Sequence, residues 1–349
     1  MLKIPSKRMF FSFFICSTVI ILLANYNFLK DTSFTFNIFA VLTGLAISFL
    51  FFIPSMVIRK RTELDFISFA HKVTPSGIIF VSAYYTLYFI FTIEYFLLRY
   101  TDMFVKNINP DANKFIIALI LILVCFYSAL KGVNAISRSA LFIFAFSFLS
   151  YVLIFSGLIN SLDFSHNTFK LKGSSVDFVS NSLYFLTPSF IAVIFACVSG
   201  KSKNFKPKHI VYVLISVALI FLLFIFFMYF AIGDYTFNQD YQSFLLSKAS
   251  QLGTLGGLDG LYLSVTTLAV FLIISLVICC IKSTLGEYSN TKNTLVFTAI
   301  IFVLFLCSEF FNSVEEILSS TLIFNVLNFI SAVVIPSLYL VFFRRHIYE

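Results

Sequence analysis

The stretch Ser180-Asn181-Ser182-Leu183-Tyr184-Phe185-Leu186-Thr187-Pro188-Ser189 interrupts an apolar run that extends from Val176 to Ser199. Pro188 has no N–H and its ring crowds the preceding turn, so a regular α-helix cannot pass through it unchanged. Ser, Thr and Asn beside it can satisfy the carbonyls it frees. Two readings fit: a plain proline kink, or a discontinuous membrane helix that offers backbone groups to a small solute, as in transporters.

Outward from that stretch, the same apolar pattern recurs. Ten runs cover roughly Met9–Asn27, Phe34–Ile58, Gly77–Arg99, Lys114–Leu130, Ala140–Asn160, Val176–Ser199, Ile210–Ile232, Leu258–Ile281, Thr294–Phe310 and Leu318–Phe343. Each is about the 20 residues that a membrane helix needs. Only 11% of the residues are charged and 60% are hydrophobic, where a soluble domain carries about 25% charged residues. The first run has no small-residue cleavage site after it, only Asn25-Tyr26-Asn27, and reads as a retained helix rather than a signal peptide.

Charge sets the orientation. With the N-terminus inside, the inner segments hold 17 of the 24 basic residues, from Lys3, Lys7 and Arg8 through Arg59, Lys60, Arg61, Lys72, Lys131, Arg138, Lys201, Lys203, Lys206, Lys208, Lys282 and Lys292 to Arg344 and Arg345. Only Lys30, Arg99, Lys106, Lys114, Lys170, Lys172 and Lys248 remain on the outer side. This is a positive-inside bias with both ends in the cytoplasm. The net charge of +8 is thereby placed at membrane edges and calls for no nucleic-acid partner.

Two polar connections have helical periodicity. Asp240–Leu252 repeats Tyr241, Phe244, Leu245, Ala249 and Leu252, which predicts a helix lying near the outer surface. Glu63–Val73 predicts a short inner helix ended by Pro75. The six cysteines all lie in apolar runs without metal or redox spacing, and read as small buried hydrophobes. His71, His166, His209 and His346 sit in loops or at the tail, and no P-loop, nucleophile elbow, HExxH or dinucleotide fingerprint is present. Neither an enzyme nor a cofactor is expected.

Polar residues inside apolar spans are the candidates for function, because each is costly in lipid unless it meets a cavity or a partner helix. Glu94 lies near the outer third of the third run, with Arg99 five residues on. It fits either a structural carboxylate close to the interface or a gate or ion-coupling group. Tyr84, Tyr85 and Tyr88 share a face of the same helix, as a solute wall or as ordinary packing. The eighth run opens with Gly253, Gly256, Gly257 and Gly260 around Asp259, then carries Tyr262, Ser264, Thr266 and Thr267.

This layout resembles the amino acid–polyamine–organocation superfamily and, within it, is most similar to spore-germination permeases, the B-type subunits of bacterial nutrient germinant receptors. The stretches that carry the resemblance are Ile4-Pro5-Ser6-Lys7-Arg8-Met9-Phe10-Phe11, Glu63–Val73, Glu94-Tyr95-Phe96, Lys131-Gly132-Val133-Asn134-Ala135-Ile136-Ser137-Arg138, Phe185–Pro188, Leu258-Asp259-Gly260-Leu261-Tyr262, and Pro336 with Arg344-Arg345. The resemblance implies an all-α polytopic membrane protein of about ten helices, N-in and C-in. These form a five-plus-five inverted repeat of the LeuT type within a single domain over residues 1–349. The first repeat covers about 9–160 and the second about 176–343, with the first and sixth helices broken around a central site. Two departures stand out. Ser17–Asn25 has neither the glycine break nor the proline usual in the first span, and only Asp259 remains of the eighth span's usual Arg–acid pair.

The implied role is binding of a small nutrient such as an amino acid in the bacterial cytoplasmic membrane, the spore inner membrane included, beside A-type and C-type receptor subunits. The alternatives are a proton- or sodium-coupled amino-acid transporter and a non-transporting scaffold. The candidate solute-binding residues are Ser17, Thr18, Tyr85, Tyr88, Tyr184, Thr187, Ser189, Ser264 and Thr267, with Glu94 as the gating or coupling group.

Overall fold

In lipid, a backbone can satisfy its own hydrogen bonds as helix, and this chain is almost wholly helical in the computed structural model. The structure describes residues 4–24, 26, 29, 32–74, 78–164, 172–203, 207–233, 235, 240–252, 255–285 and 291–343. Lys3, Asn25, Asn27, Lys30, Pro75, His166, Lys170, Lys206, Gly253, Arg344, Arg345 and His346 lie outside the described residues.

The first five spans are α1 (Ser6–Leu22), α2 (Phe34–Thr62), α4 (Ile78–Asn107), α5 (Lys114–Lys131) and α6 (Val133–Leu158), with the short α3 (Phe66–Val73) before the third. The sixth is two pieces, α7 (Ser175–Phe185) and α8 (Phe190–Val198). Then follow α9 (Pro207–Phe227), the connecting α10 (Gln242–Ala249), α11 (Asp259–Leu285), α12 (Thr291–Phe310) and α13 (Asn312–Ser319). The tenth span is α14 (Thr321–Phe329) and α15 (Ile335–Phe342), joined by a π-helical turn at Ile330–Val334. Among the described residues, eight helices are long and apolar enough to cross a membrane. The remaining two of the ten runs are shorter: α1 has 17 residues, and the apolar part of the ninth is Thr294–Ser308.

Much of the packing, though not the first–eighth or second–tenth pairing, is related by exchange of the two halves. The first span lies on the seventh, and its counterpart the sixth lies on the second. The first also lies on the fifth, as the sixth does on the tenth. The fourth meets the eighth, as the ninth meets the third. The pairs third–eighth and second–seventh map onto themselves. This is the symmetry of a five-plus-five repeat. Because five is odd, the second unit starts from the opposite side of the membrane, so the repeat is inverted. At the centre, α11 touches α1, α4, α5, α6, α8 and α10 and is buried along most of its length.

Several helix ends that carry basic residues meet at one end of the bundle. Arg59, near the end of α2, donates to the Ser199 carbonyl just past α8. Ile4–Pro5 pairs in parallel with Ser202–Lys203. Ser82, near the start of α4, donates to the Thr284 carbonyl at the end of α11 over 2.9 Å. The inner helix forms as expected, capped by the Asp65 carboxylate on Ser68 N–H at 2.8 Å, with Phe66, Ile67, Phe69 and Ala70 buried.

Three expectations are corrected. The first helix ends at Leu22 instead of running to Asn27, and Ala24 and Tyr26 continue buried but outside any helix. Its end is stable because side chains take its open carbonyls: Ile21 accepts from Ser243 at 2.9 Å and Tyr26 at 3.2 Å, and Leu22 from Tyr262. The helix within Asp240–Leu252 does not lie on the surface. Gln242, Ser243, Ser247 and Ser250 are buried, because they bond inward rather than to water; Gln242 accepts from Tyr26 N–H at 2.7 Å and Ser250 donates to the Ile154 carbonyl at 2.8 Å. The third helix continues to Asn107, so Glu94 lies near its middle rather than in its outer third.

Candidate solute site

The break in the sixth span follows from its chemistry. Without an N–H on Pro188, the Tyr184 carbonyl loses its helical donor, and the Thr187 hydroxyl takes it at 2.5 Å. A 3-10 turn over Thr187–Ser189 replaces the α-helix there. The Leu183 carbonyl receives Asn325 Nδ2 from the tenth span at 2.6 Å, and the Leu186 carbonyl receives Ser48 Oγ from the second at 3.3 Å. Gly44, one turn before Ser48, lets the second span close in. A Cβ there would stand 2.6 Å from the Ser182 carbonyl oxygen.

The third and tenth spans face each other through a polar row. Tyr95 meets the Thr321 hydroxyl at 3.3 Å and stacks on Phe324 with ring centres 4.2 Å apart. Tyr88 donates to Asn328 Oδ1 at 2.6 Å, and Tyr85 to the Ser331 carbonyl at 2.5 Å. That carbonyl is free because Ile335 N–H bonds Ile330 across the π-turn and Pro336 has no N–H to offer. At the outer end, Arg99 Nη2 donates to Thr321 Oγ1 at 2.8 Å and the Ser319 carbonyl at 3.1 Å. Its guanidinium lies 4.6 Å over the Tyr95 ring and within reach of the Tyr184 hydroxyl. Among the described residues no carboxylate pairs with Arg99, and its Nε is buried without a partner. Ser182 Oγ, Ser189 Oγ, Asn325 Oδ1 and Asn328 Nδ2 are likewise buried and unpartnered.

The structure places Tyr184, Thr187 and Ser189 at the break and Tyr85 and Tyr88 along the row between the third and tenth spans. It does not bring in the rest. Ser17 and Thr18 are buried but bond back to the Phe13 and Ile15 carbonyls of their own helix at 2.9 and 2.8 Å. Thr267 ties the eighth span to Tyr100 of the third at 2.8 Å. Ser264 is exposed and bonds back to the Gly260 carbonyl. Glu94 is fully buried, with neither carboxylate oxygen partnered among the described residues. At about 100° per residue it lies roughly 100–140° round the helix from Tyr95, Tyr88 and Arg99. It shares its face with Leu87, which is 67% exposed, so it stands apart from the row.

Sequence reading missed Asn325, Asn328 and Ser331, and passed over Arg99. The signal was present: Thr321, Asn325, Asn328 and Ser331 recur at helical spacing in an otherwise apolar span. Above Arg99, Tyr241 donates to Asp102 Oδ2 at 2.6 Å, and Lys106 bridges Asp102 at 3.0 Å and Asp240 at 3.5 Å. Burial and then the charge of Asp102 push the Tyr241 phenol well above its usual range, so it stays a donor in this latch.

No family model and no curated protein matches this chain. Among solved structures, a Na+-coupled sialic acid symporter in a substrate-bound outward-open state is similar, with a TM-score of 0.62 and 14% identity. The likeness covers 97% of this chain and 78% of that one. Identity this low speaks to the fold alone. The chain is thus a multi-pass membrane protein with the LeuT-like fold of secondary transporters.

Proposed function

We propose that this chain is the solute-binding membrane subunit of a nutrient receptor of the spore-germination type, taking an amino acid or a similar small zwitterion beside the break in the sixth span. The observation that carries this reading is Arg99, a cation without a carboxylate partner among the described residues, at the head of a polar row leading down to that break. A solute carboxylate supplies what Arg99 lacks, and Tyr184, Thr187 and Ser189 flank the remainder, with Tyr88 and Tyr85 further in along the third helix. A-type and C-type subunits would then pass on the signal in the bacterial cytoplasmic or spore inner membrane.

A second reading, a coupled secondary transporter, is favoured by Glu94. A buried, unpartnered carboxylate is costly, and taking up a proton or a cation relieves that cost. Ser17, Thr18, Thr267 and Ser264 belong to neither reading's core. A third, a scaffold with a degenerate pocket, is favoured by the first helix, which ends without an internal break and whose last carbonyls are already taken.

Thr187→Leu removes the hydroxyl that holds the Tyr184 carbonyl and fills the break with an isobutyl group. The expected outcome is loss of nutrient-triggered germination with membrane insertion unchanged; a normal response would remove the break from the site. Uptake of radiolabelled amino acids by the purified chain in proteoliposomes, abolished by Glu94→Gln, would instead establish the transporter.

A further inference from the structure

Two carboxamides on the tenth span are each held by one atom and left open at the other. Asn325 is oriented by its Nδ2 bond to the Leu183 carbonyl, which leaves its Oδ1 as an open acceptor. Asn328 is oriented the opposite way, because its Oδ1 accepts the Tyr88 hydroxyl, and so its Nδ2 is an open donor. At i,i+3 the two stand one helical turn apart on the same face. Ser182 and Ser189, on either side of the break that packs against α14, add two hydroxyls with no partner. All four residues are at least nine-tenths buried.

Buried polar atoms are seldom left unpaired, and these four sit on elements that pack against one another. The backbone there is distorted twice, by the 3-10 turn at Thr187–Ser189 and by the π-turn at Ile330–Val334, and both distortions follow from a proline. Turns of this second kind are frequent at functional sites. We infer that Asn325 and Asn328, with Ser182 and Ser189, form a specificity subsite that reads an uncharged hydrogen-bonding group of the solute, a hydroxyl or a carboxamide. Such a group both donates and accepts, as the open Oδ1 and Nδ2 require, while an alkyl group leaves both unmet. The charged end of the solute belongs to Arg99, held through Thr321, one turn out from Asn325 and two from Asn328. The inference rests on reading the break as a solute site.

The test uses the full chain in lipid nanodiscs and two isosteric pairs of probes, L-threonine with L-valine and L-asparagine with L-leucine, titrated calorimetrically. Wild type is expected to favour the polar member of at least one pair by about tenfold or more, as expected when an alkyl isostere strands buried polar groups. Ser182→Ala with Ser189→Ala removes two hydroxyls that bond to nothing in the protein, so folding is spared. In that variant and in Asn328→Leu, the preference is expected to fall below about threefold. An unchanged preference in both variants means that the four atoms hold water only, and overturns the subsite. A wild-type preference for the alkyl members overturns it as well. If no probe binds at all, the solute-site reading fails first and the subsite falls with it.

Discussion

At the scale of single residues, the sixth-span break depends on contacts too close to tolerate extra atoms. Gly44 is the sharpest case, because its Cβ would meet the Ser182 carbonyl oxygen at 2.6 Å and the Phe185 carbonyl carbon at 2.9 Å, both backbone atoms. Gly44→Ala should lower stability by about 1–3 kcal/mol, the usual cost of overpacking. A thermal midpoint in detergent equal to wild type would show that the second and sixth spans are not in this contact. The two neighbouring tyrosines of the third span should behave differently. Tyr85→Phe strands the Ser331 carbonyl, at a cost of about 1–3 kcal/mol. Tyr84→Phe should be close to neutral, since the Ser331 hydroxyl already donates to the Leu327 carbonyl at 2.7 Å. Equal losses in the two variants would contradict this assignment of bonds.

At the scale of elements, two spans are distorted by proline, and each distortion turns backbone carbonyls toward neighbouring helices. In the sixth, these carbonyls are taken by Thr187, Asn325 and Ser48, so the break is a junction of the second, sixth and tenth spans. Pro188→Ala restores the N–H that the Tyr184 carbonyl lacks and permits continuous helix. It should raise thermal stability, by up to about 3 kcal/mol, and weaken the nutrient response. A variant that is more stable and fully responsive would separate the break from function.

At the scale of the molecule, the packing of the two halves and the charge bias of the loops are independent signs of one arrangement. The N-terminal strand pairs with the segment after the sixth span, which places those two ends on the same side. Five of the six cysteines are buried, so introduced thiols can report topology. An impermeant maleimide should label Asp111→Cys in intact cells, and Arg61→Cys only after permeabilisation. The reverse pattern would invert the N-in orientation drawn from the positive-inside bias.

The sequence by itself determined the class, the approximate spans and the site of the sixth-helix break. Hydropathy, loop charge and the missing N–H of Pro188 are local properties, readable without knowing any neighbour. Only the tertiary structure decided which polar residues meet. Leu183 finds Asn325 142 residues away, and Tyr88 finds Asn328 240 residues away. Such pairings depend on how each helix is rotated about its axis, and a helix apolar on every side gives little sign of that rotation. For that reason Ser264, plausible by type, faces outward, and Glu94 stands off the tyrosine row. The helix that begins at Gln242 carries enough polar groups to seem solvent-facing, yet it is buried because Ser243 and Gln242 bond to the end of the first span and the residues just beyond it.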